Sequence, residues 1–433
     1  MSEVAVGIIA LIVLLALFMT GIEMGFAMAI VGFVGYIVLV SWKGATTMLA
    51  KDFYETFASY SYTVIPLFVL MGQISFNSGI ANRLYNSANR FLGHIPGGLA
   101  LATVAGVTCF KTICGSAAAT NATFASVAVP EMDRFNYSKK LSTGIVAVAG
   151  TLGVLLPPSV VLIIFGMVTE QSIGRLFLAG LVPGLILAAL FAIVIAVWCG
   201  RNPEVGPRSV RHTWKEKVAS LPEAAWPLAI FALIVGGLMG GLFTPTEAGS
   251  VGTLAVIILT VSRGDIKFKE LLKSIAESLR TACMVLTLIA GSTVLGHFIA
   301  VTNIPTLTAD WIVSLDIHRH VVMAVVFLIY LVGGSVIDDL AFLILATPIF
   351  FPAIIKLGYD PLWAGIMICL TVVVGGVIPP VAMNVFIVKS ITKVPISTIY
   401  RGVYPFLISM VLLIALLFVF PEIVLYLPRA LMK

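Results

Sequence analysis

The chain has 433 residues, of which 60% are hydrophobic and only 11% charged, at a net charge of +6 and a mean hydropathy of +1.10. No soluble globular composition approaches this, so the chain is read as a polytopic membrane protein. The 26 Lys and Arg against 20 acids point to no nucleic acid, because they fall in short loops between apolar segments, where they report orientation instead.

In chain order, Val4 to Thr20 and Met24 to Ser41 form a tight pair of spans. Neither a basic start nor a small-residue cleavage site precedes the first, so it is expected to stay as a helix. Residues 44–60 place Leu49, Phe53, Phe57 and Tyr60 on one helical face, the pattern of a helix lying in the interface. A third span runs from Tyr62 to about Ser78, and Asn82 to His94 reads as a loop carrying Arg83 and Arg90. Gly97 to Pro130 is apolar but interrupted at Cys114-Gly115-Ser116, and its 34 residues fall short of the ~40 needed for two full spans. It is expected to be a re-entrant hairpin with the tip GSAAATNAT, although small residues also suit a helix-packing interface. A broken helix follows from Leu141 to about Thr169, then a span from Leu176 to Trp198.

The stretch 200–223 is the longest hydrophilic one and is expected to be a cytoplasmic linker between two halves. Spans at Ala224 to Leu242 and Glu247 to Ser262 follow it, then the amphipathic KFKELLKSIAESLR and a span from Thr281 to Ala300. Val321 to Pro352 is a second hairpin, with its tip placed at Gly333-Gly334-Ser335 and an acidic pair, Asp338-Asp339, just beyond. A second broken helix occupies 361–391, and a span from Gly402 to Phe420 leads to a short tail. The five cysteines, Cys109, Cys114, Cys199, Cys283 and Cys369, show no CxxC spacing and are read as small core residues.

The two halves repeat. Gly-x3-Pro-Pro occurs in GTLGVLLPP at 150–158 and in VVVGGVIPP at 372–380, a shift of 222 residues at which Gly180 also matches Gly402 and Pro183 matches Pro405. The expected fold is therefore an all-α polytopic membrane protein of two inverted repeats, 1–199 and 224–433. It has about ten transmembrane helices plus re-entrant hairpins at 97–130 and 321–352 and broken helices at 141–169 and 361–391. With the N-terminus outside, 18 of the 26 basic residues fall in cytoplasmic loops, a strong positive-inside bias.

Prolines lack an N–H, so each Pro-Pro pair frees the carbonyls four residues back: Gly153 and Val154 in the first helix, Gly375 and Gly376 in the second. In a bilayer such breaks line a cavity or coordinate a cation. One sodium site is expected between Ser116, Asn121 and the Gly153 and Val154 carbonyls, and its mirror between Ser335, Asp338 and those of Gly375 and Gly376. The half-helices beginning at Pro158 and Pro380 turn partial positive charge into the same space, which favours an anion, with Ser159 and Asn384 near enough to donate and Gly115 and Gly334 at the tips. Lys111 is an intramembrane ionisable residue with three readings: a carboxylate ligand, a snorkelling side chain, or the partner of an acid. No metal other than the coupling sodium and no cofactor is expected, and the usual protease, ATPase and hydrolase motifs are missing, so the chain does not read as an enzyme.

These residues resemble the large membrane subunit of tripartite ATP-independent periplasmic (TRAP) transporters, the DctM-like family. The resemblance rests on CGSAAATNATFASVAVPEM at 114–132, GTLGVLLPPSVVLIIFGMVTEQSIGRLFLAGLVPG at 150–184, GLFTPTEAGSVG at 241–252, GGSVIDDLAFLILATPIFFP at 333–352 and VGGVIPPVAMNVFIVKSIT at 374–392. It implies a sodium-coupled importer of small organic acids in the bacterial inner membrane, working by an elevator motion with a small four-helix membrane subunit and a periplasmic substrate-binding protein. Lys111 departs from the apolar and small residues expected in that hairpin. The alternatives are a stand-alone sodium-coupled dicarboxylate or anion transporter, and an uncoupled channel or scaffold.

Overall fold

Long apolar runs punctuated by Gly, Pro and charge dictate helices throughout. The computed structural model, which describes residues 2–314 and 317–432, consists of helices and connecting turns, with no strand among the described residues. Met1, Leu315, Asp316 and Lys433 lie outside them, and with Lys433 goes one of the basic residues assigned to the outer side.

The first repeat opens with α1 (Glu3–Phe18), α2 (Met24–Leu39), α3 (Trp42–Ala58) and α4 (Val64–Asn77). Next come α5 (Ile80–Leu92), the hairpin arms α6 (Gly98–Lys111) and α7 (Ala117–Arg134), the pieces α8 (Lys139–Ala149), α9 (Leu152–Leu155) and α10 (Val160–Val168), and the closing α11 (Ile173–Arg201). The second repeat has α12 (Trp214–Met239), α13 (Pro245–Ser262), α14 (Phe268–Val301) and α15 (Ile304–Ser314). Its hairpin arms are α16 (Arg319–Val336) and α17 (Asp339–Lys356), its broken helix α18 (Pro361–Gly375) and α19 (Met383–Thr392), and α20 (Ile396–Val419) and α21 (Glu422–Leu431) end the chain.

Seven of these helices are each long and apolar enough to cross a membrane, and two bent pairs bring the number to nine. The seven include both arms of the second hairpin, while α1, α2 and α18, expected as spans, are apolar but only 15 or 16 residues long. The chain is a multi-pass membrane protein.

Several expectations are corrected. Asn82 to His94 is not a loop: α5 buries Ile80, Ala81, Leu84 and Tyr85 on one stripe, and its many polar residues hid that period. The amphipathic segment before Thr281 and the span after it are one helix of 34 residues, whereas the matching pieces of the first repeat, α3 and the segment containing α4, meet at 57°. Helix α12 starts at Trp214, inside the expected linker, because Thr213 and Glu216 form a capping box there. Helix α15 fills a stretch assigned to no element, and the tail is the helix α21.

Loops assigned to the basic side meet one another. The Gly97 N–H donates to the Gly206 carbonyl (2.8 Å), Ser138 N–H to Val205 (3.0 Å) and Ser209 N–H to Gly93 (2.8 Å). Arg83 pairs with Asp265 and Glu223, and Arg263 with Glu223 at 2.6 Å. Elsewhere, Lys356 pairs with Asp310 at 2.9 Å, Arg429 with Asp360 at 3.7 Å, and Arg319 lies over the Tyr359 ring. Both ends of the first hairpin thus lie among the loops assigned to the basic side, and the ends of the second lie with α15 and the turn before α18. The Asp265 side chain is 4% exposed and serves two guanidiniums. Asp265→Ala is expected to cost about 1–3 kcal/mol, seen as a lower melting temperature of the purified protein.

One layer gathers α2, α3 and α4 around α14, with α13 packed on α4. Gly291 of α14 crosses Gly25 of α2 so closely that a Cβ would overlap the Gly25 carbonyl, the small-residue packing that membrane helices use in place of hydrophobic drive. Asp52 of α3, 3% exposed, bonds His297 of α14 at 2.8 Å. The other layer holds the hairpins and broken helices, and there the repeats interlock. Helix α8 packs on α20 at Gly144 and Gly402, and α18 packs on α11 where Gly365 meets Leu176, so each broken helix is held by the closing span of the other repeat.

Candidate functional site

At the first break the helix stops at Ala149, makes one tight turn and stops again. Gly150 and Thr151 carbonyls accept from the N–H groups of Gly153 and Val154, but the Gly153 and Val154 carbonyls face Pro157 and Pro158, and among the described residues no donor reaches them. The first hairpin delivers its tip here. Ser116 caps α7, its Oγ accepting the Ala119 N–H, and a Cβ on Gly115 would touch the Pro158 carbonyl at 3.1 Å. Lys111 is fully buried, donates to the Ser116 carbonyl at 2.8 Å, and lies so close to Gly153 that a Cβ there would overlap its ammonium end. Asn121 donates to Ala147 O at 3.4 Å while its Oδ1 is buried without a partner beside Gly150. Ser159 caps α10, which therefore begins at Val160 rather than Pro158.

The second break differs. The tip of its hairpin is Ile337-Asp338, and Gly333-Gly334-Ser335 form the last turn of α16. The reason is packing: a Cβ on Gly334 would overlap the Val372 carbonyl, and one on Gly375 would run into the Leu331–Ser335 backbone, so these glycines let α16 and α18 touch and do not make the turn. Ser335 Oγ donates back to Val332 O (2.7 Å), and its carbonyl accepts the Val381 N–H (3.1 Å). Asp338 caps α17 through the Leu340 and Ala341 N–H groups. The carbonyls of Gly375 and Gly376, expected to be free, each take one N–H, from Ile378 and from Asn384, and keep a second lone pair. The half-helix begins at Met383, past Pro380, with Asn384 6% exposed against Gly376.

The two sites can now be compared. At the 222-residue shift, Ser116 matches Asp338, both helix N-caps, and Lys111 matches Gly333. The structure brings Ser116, Gly153 and Lys111 together and Ser335, Gly375 and Gly376 together, with Asn121 set on Gly150 at the start of its break. Sequence reasoning gave Asp339 no role: it lies within electrostatic reach of Lys111 from the opposite tip. Thr120, whose hydroxyl shares the Ser116 carbonyl, was also passed over. The first break is buried from Thr151 to Val160, but Pro379, Pro380 and Val381 of the second are exposed, as are Ser116 and Ala118 at the first tip, and α7 packs on α19. The N-termini of α7, α10, α17 and α19 therefore gather at a buried first break and a second break open along one side, a place suited to an anion beside cation-seeking carbonyls.

Hairpins that dock on interrupted helices, in inverted pairs, define a membrane transporter rather than an enzyme. The chain belongs to the tripartite ATP-independent periplasmic transporters as a DctM component, whose family model matches residues 11–423. It is 34% identical over 394 residues to the C4-dicarboxylate TRAP transporter large permease protein DctM of Pseudomonas aeruginosa, covering 90% of this chain and 92% of that one. It is 30% identical over 417 residues to the sialic acid TRAP transporter large permease protein SiaM of Vibrio cholerae, covering 96% of each. In fold it matches the YdaH transporter of Alcanivorax borkumensis, whose structure is described as revealing an unusual topology, with a TM-score of 0.55 at 14% identity over 87% of this chain and 88% of that one.

Proposed function

We propose that the chain is the large permease subunit of a sodium-driven importer. It moves a small organic acid, delivered by a periplasmic binding protein, across the bacterial inner membrane by an elevator motion alongside a small four-helix membrane subunit. The observation that carries this reading is the meeting of each hairpin tip with a helix break, where carbonyl oxygens suit an alkali cation and helix N-termini suit a carboxylate. The relatives named for a C4-dicarboxylate and for sialic acid favour a carboxylate as cargo. Exposed Trp42 and Tyr54 of α3, with Tyr60 just after it, give the small subunit aromatic, apolar surface to cover.

The test is uptake of radiolabelled succinate, sialic acid and related acids into proteoliposomes holding this chain and its small subunit, with and without the binding protein and an inward sodium gradient. Uptake that needs both supports the proposal. Uptake without the binding protein makes the chain a stand-alone carrier, and uptake indifferent to sodium removes the coupling.

A further inference from the structure

In the first repeat, a positive charge the chain already carries sits beside oxygens that suit a cation and is bonded to one of them, the Ser116 carbonyl. Lys111 ends α6 and is fully buried. Its nitrogen donates to the Ser116 carbonyl at 2.8 Å, and its terminal methylenes and nitrogen fill the space that a side chain at Gly153 would take. Around it remain the Gly153 and Val154 carbonyls, which two prolines leave without donors, and the buried, unpartnered Asn121 Oδ1 on the other flank of the same short turn. The C-terminal end of α9 presents its unpaired Gly153 and Val154 carbonyls to this place, and such ends attract positive charge.

We propose that the Lys111 ammonium is a tethered substitute for the sodium ion of the first repeat, so that a mobile ion is needed only in the second. This rests on the sodium-driven reading and deepens it. The second repeat carries no such charge: at the equivalent position stands Gly333, and the Gly375 and Gly376 carbonyls each keep a lone pair for an ion. The geometry also argues against Lys111 as the carboxylate ligand, because it is fully buried, its hydrogen bond goes to the tip's own carbonyl and its chain fills the space beside Gly153. Asp339 lies within electrostatic reach of Lys111 from the other tip.

The number of ions bound tests this without knowing the substrate. The complex of this chain with its small subunit, in lipid nanodiscs, is titrated with radioactive sodium, and ions bound per chain are counted. Lys111→Ala and Lys111→Ser vacate the space beside Ser116 and Gly153 and are each expected to bind one sodium ion more per chain than the unmodified complex. Lys111→Arg keeps a fixed charge and is expected to match it. Equal counts for the unmodified complex and the shortened variants overturn the proposal. So does an ion in each repeat of the unmodified complex, a result that stands even if the variants do not fold. Absence of bound sodium from every form overturns the sodium reading itself.

Discussion

Gly153→Ala is expected to remove uptake almost completely, and Lys111→Ala in the same chain is expected to restore the fold that it damages. The added methyl overlaps the end of Lys111, which has no spare room because it is held by the Ser116 carbonyl within a fully buried break. Overpacking of this kind costs about 1–3 kcal/mol where neighbours can give. Here the neighbour is a charge, and moving it strips its hydrogen bond in a low-dielectric site, which adds to the penalty. The melting temperature of the purified complex and the rate of uptake in proteoliposomes are the measurements. Shortening Lys111 removes the obstacle, so the double variant is expected to melt near the unmodified protein, with a coupling of about 0.5–3 kcal/mol between the two positions. Equal melting temperatures for Gly153→Ala with and without the second change would show that the lysine does not fill this space.

Gly402→Val is expected to have the larger effect on folding. Helices α8 and α20 touch backbone to backbone: a Cβ on Gly402 overlaps the Lys140 carbonyl, and one on Gly144 overlaps Gly402 itself. No rotamer relieves a clash with backbone, so the helices must separate, and with them the grip of the second repeat on the first broken helix. Loss of close helix contact also forfeits the packing that replaces the hydrophobic drive between helices in lipid. Little folded complex is expected after detergent extraction, judged by size-exclusion chromatography. Gly236→Val, at a glycine with nothing within 4 Å of a Cβ, is the control and is expected to extract normally. Equal yields of the two would show that the α8–α20 crossing tolerates expansion.

Much of the architecture was legible because Gly and Pro punctuate it. The Gly-x3-Pro-Pro pairs, the small-residue first tip and the segregation of basic residues placed both breaks, the first hairpin and the inversion. The second tip was misplaced because Gly333 and Gly334 look like turn formers, and only the proximity of the Phe342 ring to Gly333 and of α18 to Gly334 reveals that they serve packing. Helix α5 was missed because a hydropathy scan rewards apolar length, and its buried face is a narrow stripe among Asn and Arg. The sequence left Lys111 with three readings, since what lies beside Gly153 depends on how a hairpin docks on a distant helix.

The unequal joint in the outer layer has one more consequence. Helix α14 runs unbroken for 34 residues, about 51 Å, well beyond the ~30 Å of hydrocarbon, while the same stretch of the first repeat folds at a 57° elbow. Two identical inverted repeats would make the inward-open and outward-open states equivalent by a two-fold rotation about an axis in the membrane plane, with the same free energy. A stiff rod in one half and a hinge in the other lift that degeneracy, so in a cycle of the proposed kind the resting state has a preferred side and the two return steps have different barriers. In such a cycle the direction of pumping would belong to the ion gradient, while the side on which the empty carrier waits would follow from the chain.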